Sequence, residues 1–475
     1  MIQMYPKKTY RPFFFSLVGF SACLIWVTEF QTENVTADDV VASDTGSLLA
    51  PVENISPETI RRYEKLGIRL VQGKHLRLFT DLPADKETDR LPQAFDLAVP
   101  QWAEAFGVPE KKWQLWKLNG CLMQDPERFR LAGLYPADML PHFRSGFSRD
   151  GKFWMHDQPS PYYRRHLLLH EGVHGFMTSF FPTDSPPWHA EGMAELLATH
   201  QWNANGFDVS YFPRKKTEVP LLGRISIVTN EVGKGNILGL AEILSYGANA
   251  HRNNVPYGWC WAAAAFLNGH PRYQERFRSL NQHATGSEMN DAFMKIYNED
   301  WEQLEEEWLL FIRELEHGYN LERAAITYRD GRPLNDNEAS VSLAANRGWQ
   351  SSGVFLQAGE TYQIRATGHY FLKGDQPNEM WDCDPGGITL HYRRGYPVGL
   401  LQGLLKSEHE KTEFFTSGKD VQGLGREKRW TPTRSGTLYL RINSQASRLH
   451  DNSGNVEITV SRIDSDEKGR KRGGK

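Results

Sequence analysis

The sequence predicts an α+β domain followed by an all-β sandwich, and three observations carry that expectation. His170-Glu171-Gly172-Val173-His174 lies in the middle of a helical apolar pattern. The segments before it alternate strand, helix, strand and short strand, a layered α+β order. From Val341 onward helical spacing ends and Gly-rich turns separate short alternating runs, as in a two-sheet sandwich. A chain of 475 residues also exceeds what one hydrophobic core usually organises.

The chain opens on a targeting pattern. Lys7, Lys8 and Arg11 precede an apolar run from Phe13 to Val27, short for a membrane span and suited to a signal-peptide core or an uncleaved anchor. Phe20-Ser-Ala-Cys23 loosely matches a lipoprotein box, although the apolar run continues past the cysteine; Val35-Thr-Ala37 is a second cleavage candidate. Residues 1–30 are therefore assigned to a signal peptide or anchor, and the polar, aperiodic 31–58 to a disordered linker. The bulk of the chain is expected outside the cytoplasm, with contact to a membrane only through this N-terminal segment.

A first domain is expected over 59–317. Ile60–Leu66 has helical spacing, His75–Thr80 alternates like a strand, and Thr88–Phe106 returns to helical spacing with Pro100 as an expected kink. Trp113–Met123 and Gly151–His156 read as further strands; this element order resembles the N-terminal half of a zincin protease domain, which implies that the last strand lies at the edge of the cleft. Ser160 is an N-cap candidate, Pro161 suits the first helical position, and Pro182 closes the helix that carries the histidines. Gly172 and Gly175 each cost such a helix about 1 kcal/mol relative to alanine, so something is expected to approach its backbone closely. Glu191 is expected to open the next helix. Residues 201–255 give no clear pattern; Tyr257–Leu267, Arg272–Leu280, Glu288–Tyr297 and the amphipathic Asp300–Glu316 read as helices.

Residues 318–338 are turn-rich and suit a linker. The sandwich is expected over 339–463, with strands at Gly353–Leu356, Thr361–Thr367, Gly387–Tyr392, Thr437–Ile442 and Val456–Ile463, and 464–475 form a basic tail. If Cys23 leaves with the signal, Cys121, Cys260 and Cys383 remain; three cysteines form no disulfide framework, allow one bridge, and are expected as buried free thiols. A net charge of −3 gives no electrostatic case for nucleic acid. The 14 Trp, 18 Tyr and 25 Phe provide for sizeable cores and for a peptide- or sugar-binding cleft.

The chemistry starts from His170 and His174. Four residues apart on a helix, they share one face and can hold one metal ion, with Glu171 beside a metal-bound water. Catalytic zinc takes three protein ligands. Glu191 is the candidate third, with His189 its rival, and Glu195 one turn later can accept the free N–H of a ligand histidine. A histidine six residues after the second would mark a different class of zinc enzyme; that position is Phe180.

His170-Glu-Gly-Val-His174 followed by Trp188-His-Ala-Glu191-Gly-Met-Ala-Glu195 resembles the gluzincin metallopeptidases, the thermolysin-like class, over roughly residues 65–316. The resemblance implies a zincin-like catalytic domain, with His170, His174 and Glu191 as Zn2+ ligands and Glu171 as general base. It also implies a peptide or protein substrate and an oxyanion donor on a later helix. Tyr257 is the best match for that donor and His251 the rival.

In the C-terminal domain Gly348-Trp-Gln-Ser-Ser-Gly353, Ala358–Gly368 and Gly436–Asn443 lead to Asp451-Asn-Ser-Gly454. This order is similar to the small calcium-dependent, galactose-specific bacterial lectins, over about 340–463. The resemblance implies a lectin-like sandwich with Asn443, Asp451 and Asn452 near a Ca2+ ion and a carbohydrate. Ser444 stands where those lectins have an aspartate, so one carboxylate is missing. The leading expectation is an exported zinc metallopeptidase with an accessory sandwich. The alternatives are a cell-surface carbohydrate-binding or adhesion protein with a minor zincin domain, and a zinc hydrolase of non-peptide amides.

Overall fold

The computed structural model describes residues 55–463, apart from 137–139, 141–142, 144, 182–184, 248–253, 284–287, 335–336, 375, 377, 408–414 and 416–419. The expected signal or anchor, most of the first linker, Cys23, Pro182, His251 and the basic tail lie outside the described residues. All described residues belong to one compact unit, Leu48–Lys475.

Five strands form the first sheet: β1 (Arg69–Gln72), β2 (Leu76–Thr80), β3 (Leu118–Met123), β4 (Gly146–Arg149) and β5 (Lys152–His156). Their order is β1-β2-β3-β5-β4. β2, β3 and β5 run parallel, and β1 and β4 close the sheet antiparallel. The cleft edge was expected at the strand Gly151–His156, which the structure forms over Lys152–His156. That strand is internal instead, and the edge is β4, which β5 reaches through the tight turn at Asp150 and Gly151, both with positive φ. Leu118–Met123 is also shorter than expected, because Glu110–Trp113 forms a helical turn ahead of it.

Under the sheet lies the helix Leu91–Ala105, which continues through Pro100. Its Phe95 and Trp102 join Trp116 and Phe176 in an aromatic core, with ring centroids 5.1–6.1 Å apart. The helix Pro161–Phe180 rests on that core. Ser160 Oγ accepts from Tyr163 N at 3.2 Å and Pro161 occupies the first turn, as the sequence indicates. Its glycines explain themselves here. A methyl at Gly172 would stand 2.5 Å from Phe95 and 2.7 Å from Trp102, and one at Gly175 would stand 2.7 Å from Leu118. The bare backbone lets this helix settle onto the core.

Two further helices pack beside the helix Pro161–Phe180. Pro187–Ala198 packs against it, and Asn254–Gly269 packs on the other side of Pro187–Ala198, where a methyl at Gly192 would meet Cys260 O at 2.8 Å. Glu191 does not open its helix, as expected, but falls in the second turn, because Pro187 starts it earlier. The uninterpreted 201–255 contains a short hairpin and the helices Arg224–Gly233 and Leu240–Leu244.

The C-terminal part is β-rich. Tyr362–Thr367 and Glu338–Ala344 flank Ser453–Arg462 in one sheet, which Tyr370–Lys373, Met380–Cys383 and Glu427–Trp430 extend. Gln350–Leu356, Gly436–Ile442, Leu401–Lys406 and Gln422–Gly423 form a second antiparallel sheet. Leu343, Ile364, Leu372, Val456 and Val460 from the first sheet share a core with Leu356, Leu401, Leu405, Leu438 and Leu440 from the second. Cys121, Cys260 and Cys383 are buried free thiols.

The two halves meet closely. On the helix Trp301–Glu314, Glu306 pairs with Lys406 and Glu314 pairs with Arg441 at 3.0 Å. Ser447 N donates to Glu316 Oε1 at 3.0 Å, and Ala446 and Leu449 enter the core of the first half. Within the expected linker, Ala324 and Ile326 are buried. No helix among the described residues is long and apolar enough to cross a membrane.

Candidate metal centre

The helices Pro161–Phe180 and Pro187–Ala198 bring three potential donor atoms together. His174 Nε2 is 3.1 Å from His170 Nε2, and Glu191 Oε2 is 3.3 Å from the first ring and 3.5 Å from the second. Ligands about 2.0–2.1 Å from a tetrahedral ion stand roughly 3.3–3.4 Å apart, so this triangle has the dimensions of one face of a zinc tetrahedron. Two imidazoles and a carboxylate are also the donor set zinc favours in catalytic sites. Among the described residues this is the one group of three His, Cys, Asp or Glu side chains that converges in this way.

The electrostatics favour a cation. Burial opposes a charged ring at His170, but the Glu191 and Glu195 carboxylates outweigh it and raise the ring to about 10. Glu195, fully buried, faces His170 Nδ1 at 3.3 Å. That contact directs Nε2 toward the donor triangle. Glu195 is itself held by His166 Nε2 at 3.0 Å and by two nitrogens of Arg224, Nε at 2.6 Å. Burial would raise the Glu195 carboxyl, yet Arg224 and His166 hold it well below the usual carboxylate range. Glu195 thus lies beside His170 and is held in addition by His166 and Arg224, two residues the sequence did not suggest.

His166 is not among the ligand candidates of the sequence. It is buried, and burial lowers its basicity, so it serves Glu195 as a neutral ring. The signal was available: His166, His170 and His174 repeat every four residues. Arg224 carried no such signal, because it lies in the stretch with no clear pattern. His189, the rival ligand, bonds Asn281 Oδ1 at 2.8 Å, away from the triangle.

Glu171 points to the sheet edge. Ser148 Oγ donates to its Oε2 at 2.5 Å and to its backbone carbonyl at 3.2 Å. Gly146, on the same face of β4, leaves the room this carboxylate uses: a methyl there would lie 2.3 Å from Oε1. Burial raises the Glu171 carboxyl, with His170, His174 and Ser148 partly offsetting the rise. Tyr257 lies in the first turn of its helix, its ring 6.0 Å from that of His170, with the Arg224 guanidinium 5.6 Å from its centroid. Burial and then Glu191, Glu195 and Glu171 push its hydroxyl well up, so it remains a donor.

The second predicted site has a different character. Asn443 is fully buried and its amide donates to the carbonyls of Arg393, Tyr396 and Pro397 at 2.9–3.1 Å. Asn452 is also buried; it accepts from Lys373 N and donates to Ala345 O and Ser444 Oγ. Asn452 is committed to framework bonds through both amide atoms, whereas the buried Oδ1 of Asn443 has no hydrogen-bond partner among the described residues. Asp451 is the surface member, with His450 Nε2 at 3.3 Å.

Comparison with protein-family models finds no match, and neither does comparison with curated proteins. Among solved structures, the chain is similar to the N-terminal domain of EclA, described as a PllA-like lectin. Identity is 25%, covering 27% of this chain and all of that one, with a TM-score of 0.20. A periplasmic inhibitor of g-type lysozyme from Aeromonas hydrophila, PliG, is 10% identical over 29% of this chain and 97% of its own, with a TM-score of 0.17. A de novo designed double-stranded β-helix is 11% identical over 26% and 97%, with a TM-score of 0.12. TM-scores this low establish neither fold nor function for this chain.

Proposed function

We propose that the protein is a zinc-dependent hydrolase of the gluzincin kind that cleaves peptide bonds. The observation that carries this reading is the 3.1–3.5 Å triangle of His170, His174 and Glu191 beside a buried Glu171. When bound, zinc supplies Lewis acidity to a water and to a carbonyl oxygen. Glu171, raised by burial, takes a proton from water and returns it to the leaving amine. Tyr257 donates its hydroxyl hydrogen bond to the carbonyl oxygen as charge grows there. No strand pairs with the outer edge of β4 among the described residues, so its backbone can align an extended peptide as an added strand. An extracytoplasmic location belongs to the same proposal and rests on the apolar run from Phe13 to Val27.

Metal analysis combined with casein hydrolysis tests it. Wild type is expected to carry stoichiometric zinc and to cleave casein; Glu171→Gln is expected to keep the zinc and lose turnover. Wild type without zinc, or with zinc and no hydrolysis, sinks the peptidase reading.

A second reading gives the β-rich part a carbohydrate-binding role, and one observation favours it. Trp381, partly exposed, stacks on His391 with ring centroids 4.4 Å apart. Such aromatic platforms suit the apolar faces of sugars. Glycan-array binding abolished by Trp381→Ala places recognition on this patch. Calcium-dependent binding lost in Asp451→Ala places it at the Asp451 loop.

A further inference from the structure

The edge strand β4 meets the metal helix through a single glutamate. Successive side chains of a strand point to opposite faces, so Gly146 and Ser148 share one face of β4, and the buried Glu171 carboxylate lies across both. Ser148 Oγ donates to Glu171 Oε2 at 2.5 Å, and a methyl on Gly146 would stand 2.3 Å from Oε1. The same hydroxyl is 3.2 Å from the Glu171 backbone carbonyl. Ser148 thus touches both ends of the glutamate, its main chain and the tip of its side chain, which leaves the torsions between them little freedom. A hydroxyl donating to a carboxylate across roughly 2.5–2.7 Å belongs to the strong class of hydrogen bonds. The strand itself is held by other means: Ser148 pairs with Phe153, and Gly146 with Met155, in the register of β5. Among the described residues the Ser148 hydroxyl bonds Glu171 and nothing else.

We infer that Ser148 is a positioning residue for Glu171. Its hydroxyl selects the conformation in which Oε2 is tied to the strand. Oε1, which has no hydrogen bond among the described residues, is then the oxygen left to take the proton from water. This role rests on the hydrolase reading of the site. A base must hold its oxygen within hydrogen-bond reach of the proton it removes, and a misplacement of about 1 Å can lower a rate about a hundredfold. Two duties of β4 are thereby separate. Its side-chain face holds the base, whereas its outer backbone edge is the part an extended peptide pairs with. Removing the hydroxyl leaves that edge as it was, so turnover and substrate binding respond differently.

The test compares the full chain with its Ser148→Ala and Ser148→Thr variants. Ser148→Ala is expected to lower kcat on labelled casein about 10–100-fold and to leave KM as in wild type. Ser148→Thr keeps the hydroxyl on a side chain that suits strands and is expected to recover most of the turnover. Zinc content and the urea midpoint are expected to match wild type in both. A crystal structure of metal-free Ser148→Ala gives a readout that needs no turnover: the Glu171 carboxylate is expected to leave the place it holds in wild type. A carboxylate that stays there, a kcat unchanged or raised, an effect carried by KM, no recovery in Ser148→Thr, or activity lost in step with zinc and stability overturns the role. Wild type that hydrolyses nothing sinks the peptidase reading instead, and the crystal structures then decide by themselves whether Ser148 places Glu171.

Discussion

Glu171 accepts from Ser148 Oγ and uses the room that Gly146 leaves. Gly146 is required by its side chain: Gly146→Ala is expected to displace the carboxylate and lower casein turnover at least tenfold while zinc content stays at the wild-type level. A variant with unchanged turnover shows that the carboxylate tolerates the shift. Gly172 answers to packing alone. The methyl of Gly172→Ala would press on Phe95 and Trp102, and overpacking of this kind costs about 1–3 kcal/mol. Urea denaturation measures that loss, which is expected despite the better helix propensity of alanine. Sequence reasoning placed both helix glycines against a close neighbour without identifying it, since the neighbour comes from 77 positions earlier in the case of Phe95.

Individual elements were legible to the degree that their patterns are local. The metal helix announced itself through Ser160, Pro161 and its apolar spacing, and Glu288–Tyr297 has the limits its sequence pattern indicates. β1 and β4 passed unnoticed, because four-residue strands at sheet edges alternate too briefly to register. The consequence was the misplaced cleft edge. Glu195 belongs to this scale, since it ties the Pro187–Ala198 helix both to the metal helix and to Arg224. Replacing it with alanine removes the acceptor facing His170 Nδ1 and leaves Arg224 buried without its carboxylate. Zinc affinity is expected to fall about 10–100-fold, measured by competition with a chromogenic chelator. Unaltered affinity would reduce Glu195 to a structural residue.

For the molecule as a whole, the sequence indicates two textures and a turn-rich connection, and the structure adds how they are joined. Residues 318–338 read as a tether because polar and turn-forming residues dominate. What binds the halves is long-range and invisible to local pattern: buried acids on one helix, basic side chains on distant strands, and the 444–451 loop inserted into the first core. That joint gives stability a pH dependence. Burial would raise Glu314, but Arg441, Arg394 and Arg393 lower it from 4.5 to about 2. A carboxylate depressed on folding contributes stability above its unfolded value and loses it as pH falls toward the folded one. The thermal midpoint of wild type is therefore expected to drop between about pH 4.5 and pH 2, and more steeply than that of Glu314→Gln. Parallel pH curves for the two proteins would remove Glu314 from this account.

The three histidines of the metal helix allow one last deduction, from angle instead of distance. Four residues advance an α-helix by one turn and about 40°. His170 is therefore rotated by about 40° from His174, and His166 by about 80°. The nearer pair still converges on one point, and the third ring has drifted round to the flank, where Glu195 meets it. The winding of the helix alone thus sorts identical side chains into two roles. His166 accordingly has no path to replace a lost ligand, and zinc bound weakly by His174→Ala should stay weak when His166 is left in place.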